Sequence, residues 1–345
     1  MINQKIANDL RIDPRIREFL QAHNPVAMGD VASREELLTH ANLPEVQSLM
    51  ALVDGFMGAL GNESVAPHDG LKTETLTFES QPDGNSVKIQ YIRPDTDEVL
   101  PCVYYIHGGG MMLFSCFYEN YAAWGRMLAA QGVAVAMVDF RNSLYPSSAE
   151  EVAPFPAGLN DCVSGLRWLH ANAASLNVDP QRVIVSGESG GGNLAIATAL
   201  TLKQENSLEL IKGVYALCPF IAGEYPLEKN PSSSEFNGVV LELFNNSFRM
   251  AYGIDAFESA NPLAWPGFAT EDDVRGLPPV VISVNECDPL RDEGINFYRL
   301  LMNSGVSARC RQVMGTVHAV EIMPVICPEI SRDTARDLAG FCRDD

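Results

Sequence analysis

A chain of 345 residues, 46% hydrophobic and 20% charged, buries a sizeable core without disulfide or metal staples. Its length suits two domains or one large α/β domain with additions. Its 24 Lys and Arg against 44 Asp and Glu leave a net charge of −20, which repels phosphate backbones and anionic lipid and argues against nucleic-acid and membrane partners. The N-terminal Met1-Ile-Asn-Gln-Lys lacks the basic-then-apolar layout of a signal peptide. The longest apolar runs, Val133–Val138 and Val280–Val284, are far short of a membrane span, so a soluble, cytoplasmic protein is expected. The eight cysteines are scattered, with no Cys-x-x-Cys pair. That predicts reduced thiols packed as small hydrophobes and no metal site.

Up to about residue 65, apolar side chains recur at three- and four-residue intervals: Ile16, Phe19 and Leu20, then Leu37 and Leu38, then Val46, Leu49, Met50, Val53 and Phe56. This is the period of amphipathic helices, and Asn42-Leu-Pro-Glu predicts a helix start. Leu71–Phe78 and Val87–Ile92 alternate as strands around the turn Pro82-Asp-Gly-Asn. From Pro101 a strand-then-helix rhythm sets in. Strands are predicted at Val103–Ile106, Val133–Asp139, Val183–Ser186, Gly213–Leu217, Val280–Val284 and Ala308–Val313. Helices are predicted at Tyr121–Ala130, Gly158–Ala173, Gly190–Lys203, Asp292–Asn303 and Glu329–Phe341. Apolar strands alternating with amphipathic helices predict a mostly parallel, eight-stranded sheet covered on both faces. Residues 220–266 interrupt with an irregular Pro/Ser/Asn-rich passage and one predicted helix, Val239–Met250, and read as an insertion above the sheet. The expected organisation is a helical cap segment over 1–65 and one α/β domain over 66–345.

The most informative stretch is Val183-Ile-Val-Ser-Gly187-Glu188-Ser189-Gly190-Gly191-Gly192-Asn193. It is a strand, then Gly-x-Ser-x-Gly, then a helix, the layout that lifts a serine hydroxyl above a strand end. The helix start behind it supplies free N–H groups and a positive dipole end. Gly190-Gly-Gly192-Asn-Leu-Ala195 also matches a loose dinucleotide pattern, but no strand ends in an acidic residue about 20 positions on. His107-Gly108-Gly109-Gly110 follows a strand directly, and such a loop aims bare N–H groups at an oxyanion. His107 itself, opening the loop ahead of the nucleophile, reads as a loop-orienting residue.

A nucleophilic serine needs a base, and the base an orienting carboxylate. After Ser189 the chain holds one histidine, His318, just past a strand. The acid follows the strand Val280–Val284: Asp288 opens the loop that Pro289 stiffens, with Glu286 the alternative. Asp292 and Glu293 fall in the first turn of the next helix, where acids serve the dipole. Asp139-Phe-Arg-Asn142 is expected to fix loops beside the glycine loop. Met111, Met112 and Phe114, with Trp265 and Tyr225 of the insertion, are candidate pocket residues.

These motifs together resemble the hormone-sensitive-lipase-like branch of the α/β-hydrolases, esterases with a His-Gly-Gly-Gly loop. The resemblance runs from about Pro101 to the C-terminus. It implies the α/β-hydrolase fold with a helical cap and commonly a homodimer. It also implies Ser189, Asp288 and His318 as triad, and Gly108, Gly109 and Gly190 as oxyanion donors. Two stretches depart from the branch: Glu188 stands where Asp is usual, and Phe140-Arg-Asn-Ser-Leu replaces Tyr-Arg-Leu-Ala-Pro. The function expected is a serine carboxylester hydrolase acting on small or medium uncharged acyl esters, with no metal or organic cofactor. Lactones, amides or carbamates are alternative substrates for the same chemistry. A non-catalytic ligand receptor on the same fold is the rival from another class.

Overall fold

The computed structural model describes residues 8–22 and 29–343. The first and last residues, and 23–28 within the expected cap segment, lie outside the described ones. Three helices come first: α1 (Pro14–Ala22), α2 (Arg34–Ala41) and α3 (Pro44–Ala59). Ser33 caps α2 by accepting the Glu36 N–H, and Pro44 occupies the first turn of α3, where a missing N–H costs nothing. Two strands follow, β1 (Leu71–Glu79) and β2 (Ser86–Pro94), and then the alternation begins. It runs β3 (Leu100–Ile106), α4 (Glu119–Ala129), β4 (Ala134–Asp139), α5 (Ala157–Ala171), β5 (Val178–Glu188), α6 (Gly190–Gln204) and β6 (Gly213–Leu217). After the insertion come β7 (Val280–Cys287), α8 (Arg291–Asn303), β8 (Ala308–Val317) and α9 (Pro328–Arg343).

Among the described residues, eight strands form one sheet in the order β1-β2-β4-β3-β5-β6-β7-β8. Strand β2 runs antiparallel to both β1 and β4, and every other pairing is parallel. Strands β3 to β8 therefore end at one edge, and the loops leaving that edge share a crevice. Alternation along each strand divides the core in two. Cys102, Tyr104 and Ile106 of β3 pack with Leu166 and Leu169 of α5 and with Leu194 and Leu200 of α6. Val103 and Tyr105 face the other way, onto Trp124 and Leu128 of α4 and Leu338 of α9. Among the described residues no helix is long and apolar enough to cross a membrane.

The insertion departs from expectation. The helix predicted at Val239–Met250 is confined to Ser247–Tyr252, because polar side chains capture the backbone donors before a helix can use them. Asn237 Oδ1 takes the Leu243 N–H, Asp30 Oδ1 takes that of Asn246, and Asn246 in turn bonds both the N–H and the C=O of Val31. The bonds of Asn246 tie the insertion to the segment just before α2.

Candidate active site

Strand β5 ends at Glu188 and α6 starts at Gly190, leaving Ser189 alone in the turn at φ 56° and ψ −119°. A non-glycine residue pays for that conformation, and close packing enforces it. A Cβ on Gly187 would lie 2.5 Å from the Ile106 carbonyl oxygen, and one on Gly191 2.0 Å from it. The flanking residues must therefore be glycine for the turn to close. The Ser189 N–H is spent on the Leu217 carbonyl at 3.0 Å, while its hydroxyl has no partner among the described residues.

His318 follows β8 and Asp288 follows β7, neighbouring parallel strands, so the two side chains meet. His318 Nδ1 lies 2.8 Å from Asp288 Oδ2, and the other Asp288 oxygen accepts the Leu290 N–H at 2.9 Å. Both residues are buried. Ser189 and His318 open onto one cavity of about 570 Å³. Glu286, the alternative acid, is occupied elsewhere. It sits where the β7–β8 register shifts, and its carboxylate accepts the Gly315 N–H at 2.7 Å.

The glycine loop needs one correction. The Gly108 N–H donates to Glu188 Oε1 at 2.6 Å and lies 3.2 Å from the Tyr121 hydroxyl, so it is committed to the protein rather than to an oxyanion. Buried carboxylates claim the strongest nearby donor, and a Glu before the nucleophile is long enough to reach this one. The N–H groups of Gly109 and Gly110 have no partner among the described residues, and both glycines line the cavity. Gly190 packs against this loop: a Cβ on it would lie 2.8 Å from the Gly110 nitrogen. His107 is buried, stacked on Phe140 with ring centroids 4.3 Å apart, and its Nδ1 faces the Gly108 carbonyl at 3.0 Å. Burial lowers its pKa in spite of nearby Asp139. It orients the loop and does not face the cavity.

The α/β-hydrolase-fold family matches residues 103–322. Carboxylesterase NlhH of Mycobacterium tuberculosis is 30% identical over 256 residues, covering 73% of this chain and 76% of that one. The solved structure of esterase Est22 superimposes with a TM-score of 0.97 at 59% identity, covering 99% of this chain and 100% of that one. Brefeldin A esterase, described as a bacterial homologue of human hormone-sensitive lipase, superimposes at 0.84 with 36% identity over 97% of this chain and 94% of its own. The chain belongs to the α/β-hydrolase family. Within that family it falls in the hormone-sensitive-lipase-like esterase branch.

This α/β-hydrolase lines its cavity from several parts of the chain, the loop after β4 (Leu144, Tyr145) and the segment after β8 (Ile322, Met323) among them. The loop after β3 contributes Met112, Leu113 and Phe114, the insertion Phe248 and its neighbours, and the N-terminal helices Leu37, Val53 and Met57. Of the candidate pocket residues, Met112 and Phe114 line the cavity, and Met111 and Trp265 do not. Met111 is buried at φ 58° with its carbonyl accepting the Ser143 N–H, so its side chain turns into the core. Trp265 lies behind Phe220, edge-on with centroids 5.5 Å apart, and Phe220 is the residue that reaches the cavity. Phe220 follows β6 at the same sheet edge as the triad, a signal that strand-end position alone carries. Tyr225 also points away, its hydroxyl donating to Glu293. The Asp139–Asn142 stretch fixes loops as expected: Asp139 accepts from Cys116 and Ser148, Arg141 pairs with Asp161, and Asn142 donates to the Phe114 carbonyl.

Cys218, which sequence spacing left among inert thiols, comes to lie with Asp288 and His318, their donor atoms all within 4.8 Å of one another. It follows β6, between the strands that carry Ser189 and Asp288. Burial holds its thiol well above the usual range, with Asp288 next among the causes, so it packs beneath the pair as a neutral group.

Two buried carboxyls beside the site titrate near neutrality. Burial pushes Glu188 up to about 7 against the pull of its three donors, and Glu293 up to about 8. Both folded values lie above the ~4.3 of an unfolded glutamate. Their stabilisation is therefore full below that value and lost as pH rises through about 7 and about 8. Between pH 6.5 and 8, stability is expected to fall by a few kcal/mol, and Glu293→Gln to flatten the decline. Urea unfolding across that range checks it; parallel profiles for the two proteins would reject the assignment.

Proposed function

We propose that this ester hydrolase works through Ser189, His318 and Asp288. Ser189 attacks the ester carbonyl as His318 takes its proton, and Asp288 holds the imidazole and steadies its positive charge. The N–H groups of Gly109, Gly110 and Gly190 receive the oxyanion. His318 then protonates the leaving alcohol, and water repeats the cycle on the acyl-enzyme. The observation that carries this reading is the 2.8 Å His318–Asp288 bond at the mouth that Ser189 shares. It also speaks for a catalyst rather than a receptor on the same fold.

The substrates proposed are small or medium uncharged acyl esters. Apolar side chains dominate the cavity wall, and the carboxylate within it, Glu188, is fully engaged. Est22 has been solved with p-nitrophenol, which recommends p-nitrophenyl esters as probes. Residues 1–65 are proposed as a cap and 66–345 as the catalytic domain, because α2 and α3 wall the cavity above the strand ends and exclude water from it. A cytoplasmic setting accords with eight unpaired cysteines, and a homodimer with the branch.

Rates across acetyl, butyryl, hexanoyl and palmitoyl p-nitrophenyl esters, with a macrocyclic lactone alongside, test the substrate class. The maximum is expected at hexanoyl or shorter; equal turnover of the palmitoyl ester, or a preference for the lactone, would redirect it. Val53→Trp fills the cavity from the α3 side. It is expected to raise KM for the hexanoyl ester about 10-fold and leave the acetyl ester within about 2-fold. Unchanged selectivity would show that α3 does not shape the acyl site.

A further inference from the structure

Among the described residues, every hydrogen bond of the Glu188 side chain goes to the glycine loop or to a tyrosine packed beside it. Its Oε1 accepts the Gly108 N–H at 2.6 Å and the Tyr121 hydroxyl at 2.7 Å, and its Oε2 accepts the Tyr105 hydroxyl at 2.5 Å. The four residues come from three parts of the chain: Tyr105 and Gly108 from β3 and the loop that continues it, Tyr121 from α4 and Glu188 from the end of β5. The fit has no slack, since a Cβ on Gly108 would fall 2.4 Å from Oε1. The next peptide is held as well, by His107 Nδ1 against the Gly108 carbonyl. In a trans peptide C=O and N–H point in opposite directions, so this bond turns the Gly109 N–H away from His107. Glu188 and Ser189 are consecutive, so one piece of backbone carries both the nucleophile and the anchor of the loop.

We propose that Glu188 is a positioning residue for catalysis, holding the 107–110 loop in register with Ser189 so that the Gly109 and Gly110 N–H groups meet the oxyanion as it forms. The proposal rests on the triad reading above. It explains why the Gly108 N–H is withheld from the oxyanion: it is the peg by which the loop is hung. It also gives a use to a long, nine-tenths buried acid where a shorter one would leave three donors without an acceptor.

The experiment compares Glu188→Ala, Glu188→Asp and Glu188→Gln for kcat and KM on a p-nitrophenyl ester. It also measures affinity for a trifluoromethyl ketone, whose adduct with Ser189 carries the oxyanion, and the rate of fluorophosphonate labelling. Removing one oxyanion donor costs roughly 10²–10³ in kcat, so Glu188→Ala is expected to lose about 100-fold in kcat with KM within about 3-fold. Its affinity for the trifluoromethyl ketone should fall in parallel. Glu188→Asp keeps the carboxyl group but loses the reach and should behave like the alanine variant; it also serves if that variant fails to fold. Glu188→Gln still offers an acceptor to Gly108, though a weaker neutral one, and should stay within about 10-fold of wild type. Full kcat in the Ala and Asp variants would overturn the proposal, as would a raised KM with unaltered trifluoromethyl ketone affinity. A Gln variant as inactive as Ala would do the same, by denying that reach matters. Turnover surviving in Ser189→Ala would instead defeat the triad reading, whatever the Glu188 variants do.

Discussion

Ser189→Ala is expected to abolish ester turnover, with a loss in kcat of at least about 10⁴-fold, since removing a triad nucleophile leaves only what binding and the oxyanion hole supply. Fluorophosphonate labelling should map to Ser189 alone and vanish in the variant. The geometry makes the result sharp. Ser189 holds its strained φ of 56° because Gly187 and Gly191 leave no other path for the backbone. Alanine fits the same turn, so the variant should fold and keep the cavity, and its KM-like binding of product should be unaffected. A second labelled serine, or normal turnover in the variant, would remove the mechanism and revive the receptor reading.

Asp288→Asn is expected to cost about 10⁴-fold in kcat. The amide can present its N–H to His318 Nδ1, which forces the imidazole into the tautomer unable to accept the Ser189 proton. Two neighbouring acids serve as controls. Glu286→Gln removes a charge that bonds, among the described residues, only the Gly315 N–H, and Asp292→Asn one that bonds the Ser232 N–H and Arg291. Neither touches His318, and each is expected to stay within about 10-fold of wild type. If Glu286→Gln were the inactive variant, the acid would be misassigned while the elbow and the base stood.

The meeting of Ser189, His318 and Asp288 at one sheet edge was legible because each of the three obeys a rule local to the chain. A strand running into Gly-Glu-Ser-Gly-Gly and a helix has one geometry open to it. His318 is the sole histidine after it, and Asp288 opens the loop of the strand between. The parallel sheet was legible for the same reason: apolar runs with no polar face must be covered on both sides. Boundaries moved by a few residues, as for β5, which extends from Val178 to Glu188.

What failed were statements about where a side chain or an N–H points. Met111 and Met112 are adjacent and chemically alike, yet one turns into the core and the other into the cavity, because backbone dihedrals in the glycine loop decide it. The Gly108 N–H looks free in any one-dimensional reading. Only the approach of β5 to β3 brings Glu188 within 2.6 Å of it. Phe220 rather than Trp265 reaches the cavity, and Cys218 lies with the His–Asp pair, through the lateral order of strands β5, β6 and β7. The sequence alone thus singled out Ser189, His318 and Asp288 as one group, the triad proposed above, and determined the alternating sheet that carries them, since those follow from local periodicity and turn chemistry. Which loop N–H groups stay free, the walls of the cavity and the role proposed for Glu188 were decided by tertiary structure, because each depends on which distant strands and helices become neighbours.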